Sequence, residues 1–172
     1  MKKENYYTKR NIQDIDKTNE LLDFLPPFCQ DYFLGIETRT SCQTRLKYAY
    51  DLRIFFDFLC KKKYRKKEVT DLTLEDLEGV TNNDIELFLS YLSHYRFNDK
   101  ELSCDERAKA RKLSAVRAMF KYFFNKGLIE VDNSAKVQTP KQHEKEIIRL
   151  EAEEVSRLLD VAESGKGLSR HA

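Results

Sequence analysis

Apolar side chains recur at helical spacing through four stretches of this 172-residue chain, and the segments between them are polar. Pro26 and Pro27 suit the first turn of a helix that carries Phe28, Tyr32 and Phe33 inward and stops near Gly35. Ser41 is the expected N-cap of a second, longer helix over 41–61, with Ala49, Leu52, Phe55, Phe56 and Leu59 as its inward stripe. Ile54 and Phe58 make the second half of that helix apolar on nearly every side, so it must be largely surrounded. Its polar first half, with Gln43, Thr44, Arg45, Lys47 and Tyr48, is suited to face a partner. Residues 69–80 read as a connector with one helical turn at Leu74 and Leu77. Thr81 caps a third helix in which Ile85, Phe88, Leu89, Leu92 and Tyr95 keep helical spacing. A fourth runs from near Asp105 to Gly127, a residue suited to the position just past a helix end.

The flanks of this four-helix core are less regular. The first 24 residues are polar with scattered Tyr6, Tyr7, Ile12 and Ile15, and read as a terminal arm. Its basic start (Lys2, Lys3, Lys9, Arg10) suits either phosphate contact or simple solvation. The stretch 128–149 has Pro140, mixed charge and no sustained periodicity, as an interdomain linker would. Beyond it, 150–162 is amphipathic, with Val155, Leu158 and Leu159 on one side, and reads as the opening of a second, incomplete domain over 150–172.

Composition narrows the class. Gly and Pro number five and three while Phe and Tyr number eleven and nine, which favours long helices over a turn-rich β architecture, so the expected fold is all-α. Cys29, Cys42, Cys60 and Cys104 lie in segments that read as helical, with irregular spacing and no CxxC pair. His94, His143 and His171 lack companions at ligand spacing. The expectation is free structural thiols in a reducing cytoplasm, no metal and no cofactor. No apolar run is long enough to span a bilayer, so no membrane partner is expected.

Total charge says little: the formal net charge is +2. Its distribution says more. From Arg107 to Gly127 there are seven bases (Arg107, Lys109, Arg111, Lys112, Arg117, Lys121, Lys126) and no acid. At 100° per residue, Leu113, Val116, Phe120 and Phe123 fall on one stripe, and Arg107, Arg111, Ser114, Ala118 and Lys121 fall roughly opposite. Small Ser114, Ala115 and Ala118 on or beside the cationic face keep it slim, which suits entry into a DNA major groove. Two other readings stand beside that one. The face can be merely solvated, or it can dock an acidic protein partner in a helical interaction or regulatory module that also presents exposed aromatics such as Tyr122. The six bases within 61–67 read as an exposed helix-end loop, because cations suit a helix C-terminus.

Four motifs, in order, resemble the N-terminal core-binding (SAM-like) domain of tyrosine recombinases, the phage integrase family. Thr44-Arg-Leu-Lys-Tyr48-Ala-Tyr-Asp51-Leu52-Arg-Ile-Phe55 is similar to the family's Thr-x-x-x-Tyr-x-x-Asp-Leu-x-x-Phe run. Arg111-Lys-Leu113-Ser114-Ala115-Val-Arg117-Ala-Met-Phe120 resembles its Arg-x-Leu-Ser-Ala-x-Arg signature. Gly127-Leu-Ile129 through Asn133-Ser134-Ala135 is close to Gly-x-Ile-x-x-Asn-Pro-Ala, with Ser134 in place of the proline. Leu150-Glu-Ala-Glu153-Glu154-Val155 resembles the first helix of the catalytic domain, with Glu151 where a capping residue is usual. The resemblance implies an arm over 1–24, a DNA-binding domain over 25–127, a linker over 128–149 and the start of a catalytic domain over 150–172. It implies half of a clamp around double-stranded DNA at a recombination core site, held through the second and fourth helices, with protomers meeting in a synaptic tetramer in the full-length protein. Thr44, Tyr48, Arg111, Ser114 and Arg117 then face DNA by their place in the motifs, Arg45 and Lys47 by lying on the same polar half-helix. Arg107, Lys112 and Lys121 join them as phosphate contacts by charge and face. No residue of this chain is assigned as catalytic.

Overall fold

The computed structural model describes residues 6–141 and 152–164. Lys2, Lys3, the linker positions 142–149, His143, Leu150, Glu151 and His171 lie outside the described residues. The chain divides into two compact units, Met1–Gln142 and His143–Ala172. In the first unit the helices are α1 (Tyr6–Leu22), α2 (Phe28–Gly35), α3 (Cys42–Lys62), α4 (Leu74–Glu78), α5 (Asn82–Tyr91) and α6 (Glu106–Asn125). Short 3-10 turns at Glu37–Arg39, Val69–Asp71 and Asn133–Lys136 join or follow them. The second unit contains α7 (Ala152–Ser164), on which Val155 and Leu159 are exposed.

The chain is mostly helical, as its composition implies. α3 and α6, the second and fourth helices expected from sequence, form its centre. α3 carries the densest apolar run, and Phe55, Phe56, Phe58 and Leu59 are all nearly inaccessible to solvent. That run is enclosed in part by α5, whose Phe88 ring centroid lies 5.1 Å from that of Phe55 and 5.4 Å from that of Phe58, while α1 and α6 also pack along α3. α6 turns Leu113, Val116, Phe120 and Phe123 wholly inward. Phe28 bridges the two helices, with ring centroids 5.8 Å from Phe56 and 5.5 Å from Phe123 in edge-to-face geometry.

Helix ends are set by identifiable side chains. Ser41, Thr81 and Asp105 accept from the backbone N–H groups of Thr44, Asp84 and Ala108 and so start α3, α5 and α6. Gly127 stops α6 in the left-handed region at φ +67°, with its N–H on the Phe124 carbonyl and the Leu128 N–H on Phe123.

Two elements depart from the sequence reading. Residues expected as an arm form α1, an element the sequence barely signals because its buried side chains are Thr18 and Leu21. The third expected helix ends at Tyr91, and Tyr95 instead opens a hairpin of β1 (Tyr95–Phe97) and β2 (Lys100–Leu102). Asn98 and Asp99, at φ 49° and 60°, supply the left-handed pair that a two-residue hairpin turn requires. Tyr95 is buried all the same, so its place in the core was legible while its element was not. Cys104, expected on a helix, lies between β2 and α6 with its Sγ 3.8 Å from the Tyr95 hydroxyl. All four cysteines are free thiols.

Two aspartates fasten the α4–α5 region. Asp76 and Asp84 each cap a helix in a reciprocal box with Thr73 or Thr81, and each meets a lysine, Lys67 at 2.7 Å and Lys63 at 2.6 Å. Burial works to raise both carboxyl pKa values, but the lysines and the capping N–H groups outweigh it and hold both below the ordinary range. A depressed folded-state pKa contributes stability that is complete above the unfolded value of about 3.9 and lost as pH falls through the lower folded value. The thermal midpoint should therefore fall as pH drops below about 4, and less steeply in the Asp76→Asn plus Asp84→Asn variant. Identical acid profiles for the two proteins would refute this assignment.

Candidate nucleic-acid interface

The exposed side of α6 is built by its own periodicity. Because the apolar stripe is committed to the core, Arg107, Arg111, Ser114 and Lys121 emerge opposite it, with Ala118 half-buried between them. Arg107 and Lys121 are exposed and meet no acid among the described residues. The Ser114 hydroxyl donates back to the Ala110 carbonyl at 2.9 Å. From Arg107 to Lys121 the stripe is about 21 Å long at 1.5 Å per residue.

Asp51 ties this face to α3. Its carboxylate is almost fully buried, with Oδ1 accepting from the Lys112 ammonium at 2.8 Å and Oδ2 from the Arg111 guanidinium at 2.5 Å. Lys112 is also buried, whereas the Arg111 side chain keeps 46% of its exposure. One carboxylate between two cations leaves a net positive charge. Since Lys112 is enclosed, that excess is expressed at the exposed guanidinium. Arg111 is thereby held in place without being electrically silenced.

The sequence-derived set divides by where its side-chain tips go. Thr44, Lys47 and Tyr48 lie on the first half of α3. Lys47 is exposed, while Thr44 and Tyr48 are half-buried on the helical stripe that continues to Asp51. Arg45 and Lys112 turn inward and are buried. Arg45 donates to the Glu37 and Thr40 carbonyls at 2.9 and 2.7 Å and fastens the turn before α3. Arg117 spends its donors on the segment after α6: the Ser134 carbonyl at 3.3 Å, the Thr139 hydroxyl at 2.8 Å and the Val137 carbonyl. Each of these two arginines therefore binds a 3-10 turn to the helix that bears it. Tyr122, expected as an exposed aromatic, is half-buried and donates to the Asp31 carbonyl at 3.0 Å. Asp51 was visible only as a motif letter, although an acid on an otherwise inward-facing helix is itself a signal that a cation must come to meet it.

No family model and no solved structure matches this chain. Among curated proteins it is similar to tyrosine recombinase XerC of Caldanaerobacter subterraneus subsp. tengcongensis, 29% identical over 147 residues that cover 78% of this chain and 40% of that protein. Tyrosine recombinase XerC of Natranaerobius thermophilus is 32% identical over 142 residues, covering 83% and 40%. Tyrosine recombinase XerS of Lactococcus lactis subsp. cremoris is 28% identical over 149 residues, covering 77% and 40%. The chain belongs to the tyrosine recombinase family. It spans about two fifths of the length of these curated relatives. Among the described residues no helix is long and apolar enough to cross a membrane.

Proposed function

We propose that the unit ending near Gln142 is the DNA-binding portion of a site-specific tyrosine recombinase, holding one side of duplex DNA at the recombination core site. The observation that carries this reading is the exposed, acid-free stripe of α6, in which Arg107 and Lys121 meet no partner among the described residues. Charges placed for solubility alone are normally interspersed with the opposite sign. Thr44, Lys47 and Tyr48 extend the surface onto α3, and the small Ser114 and Ala118 leave the middle of α6 slim enough for a groove. Arg107, Lys47 and Lys121 act as phosphate contacts that set register, while Arg111 and Ser114 stand where base edges would be met. Arg45, Lys112 and Arg117 support this surface from behind. Strand cleavage and rejoining, carried out by protomers assembled in a tetramer, is proposed for the recombinase as a whole, with no catalytic residue assigned here.

The test is fluorescence anisotropy of a labelled duplex of about 30 base pairs, titrated at two salt concentrations. A surface neutralising six or more phosphates loses about 10³-fold in affinity between 50 and 200 mM salt. Absence of duplex binding at low salt would overturn the proposal and leave the acidic-protein partner as the better reading of the same face.

A further inference from the structure

Beside the last two turns of α6 the structure holds an open pocket of about 500 Å³ whose lining, Ala118 apart, lies outside the motifs. Arg39, Lys121, Asn125 and Lys126 provide its polar wall, and Tyr122 and Ala118 lie behind them. Arg39, Lys121 and Lys126 are exposed, meet no acid among the described residues, and no carboxylate lines the pocket.

Tyr122 and the turn before α3 are held by contacts that do not involve these three cations. Tyr122 is anchored through its hydroxyl to Asp31, and its ring fills the space where a Cβ at Gly35 would stand, 2.3 Å from the Tyr122 oxygen. Arg45 fastens the turn that presents Arg39. The Lys126 ammonium sits 5.7 Å from the centroid of the Tyr122 ring. Three cations around one opening repel one another in the free protein, and an anion seated among them relieves that repulsion. The negative end of the α6 dipole works against an anion here, but it amounts to about half a charge, and two of its carbonyls are already taken by Gly127 and Leu128.

We propose that this pocket binds a backbone phosphate of the duplex, just outside the stretch covered by the α6 face. The inference rests on the duplex-binding reading above and adds Arg39, Asn125 and Lys126 to the surface. A guanidinium fork, two ammonium groups and one amide N–H donor suit the oxygens of a phosphodiester, and the room available exceeds the roughly 30 Å³ share of a single water by more than tenfold. Such a contact fixes the position of the protein on DNA without reading sequence.

The experiment compares the wild-type chain, the Arg39→Gln plus Lys126→Gln variant, and a control of equal charge loss, Lys62→Gln plus Lys66→Gln. The control pair is exposed, Lys62 at the end of α3 and Lys66 in the turn after it. Loss of one phosphate contact should flatten the slope of log K against log salt by about 0.9 and weaken binding roughly tenfold at 0.1 M salt, with the control near wild type. A pocket variant that keeps the wild-type slope, or a control that loses as much, overturns the pocket and leaves duplex binding intact. Failure of the wild-type chain to bind duplex overturns the parent reading, which separates the two failures.

Discussion

Asp51→Ala should lower the unfolding free energy by about 3–5 kcal/mol, because it strands the Lys112 ammonium in the interior with no counter-charge. Such a loss is a large part of the 5–15 kcal/mol that holds an ordinary domain together. Arg111 contributes little to the penalty, since its half-exposed guanidinium can turn to water. A second substitution sharpens the test. Adding Lys112→Met to Asp51→Ala removes the stranded charge and should restore most of the stability, as replacements of buried ion pairs by apolar side chains commonly do. Chemical denaturation of the two proteins measures both quantities. A cost below about 1 kcal/mol for the single change would mean that Lys112 finds water or another acid and that the triad does not fasten α3 to α6.

Reversing two charges on α6 should have the largest effect on binding. Arg107→Glu plus Lys121→Glu changes exposed side chains that meet no acid among the described residues, so the fold is expected to keep its helical content by circular dichroism. Each lost phosphate contact costs about tenfold at 0.1 M salt, and each new carboxylate adds repulsion, so duplex affinity should fall by at least about 10²-fold. Arg117 is a poorer choice for this experiment. Its reversal would also break the hydrogen bonds to Ser134, Val137 and Thr139 and confound binding with local structure. Retained affinity in the Arg107/Lys121 variant would move the interface off α6.

The sequence carried those parts of the architecture that depend on backbone periodicity and local capping. Leu113, Val116, Phe120 and Phe123 could be placed inward from their spacing alone, and Ser41, Thr81, Asp105 and Gly127 marked helix ends by the hydrogen bonds or backbone angles that their types favour. Where the signal was thin, so was the reading. α1 buries only Thr18 and Leu21, and its few apolar side chains are set in a strongly polar sequence. The hairpin turns on Asn98 and Asp99, whose left-handed angles cost little for these two residue types but are not demanded by them.

At the interface the difficulty was of another kind. A helical wheel locates Cβ atoms, whereas Arg45, Lys112 and Arg117 carry their charges several bonds away and can bend them toward a carbonyl or a buried acid. The short Ser114 and the exposed Arg107 and Lys121 stayed where the wheel put them. Arg39 drew no reading and Lys126 was counted only among the bases of α6, because the pocket they share joins a turn to a helix end distant in sequence, and no local pattern records that meeting.

Arg117 also changes where reach should be measured from. By gripping the chain as far as Thr139, it converts the path after Gly127 from free tether into a fixed bracket on the side of α6. The span available to a flexible chain grows only as the square root of its free length, and the local concentration of whatever it carries falls as about the −3/2 power of that length. The stretch from Gly127 to Thr139 thus belongs to the folded unit and adds nothing to the length of any tether.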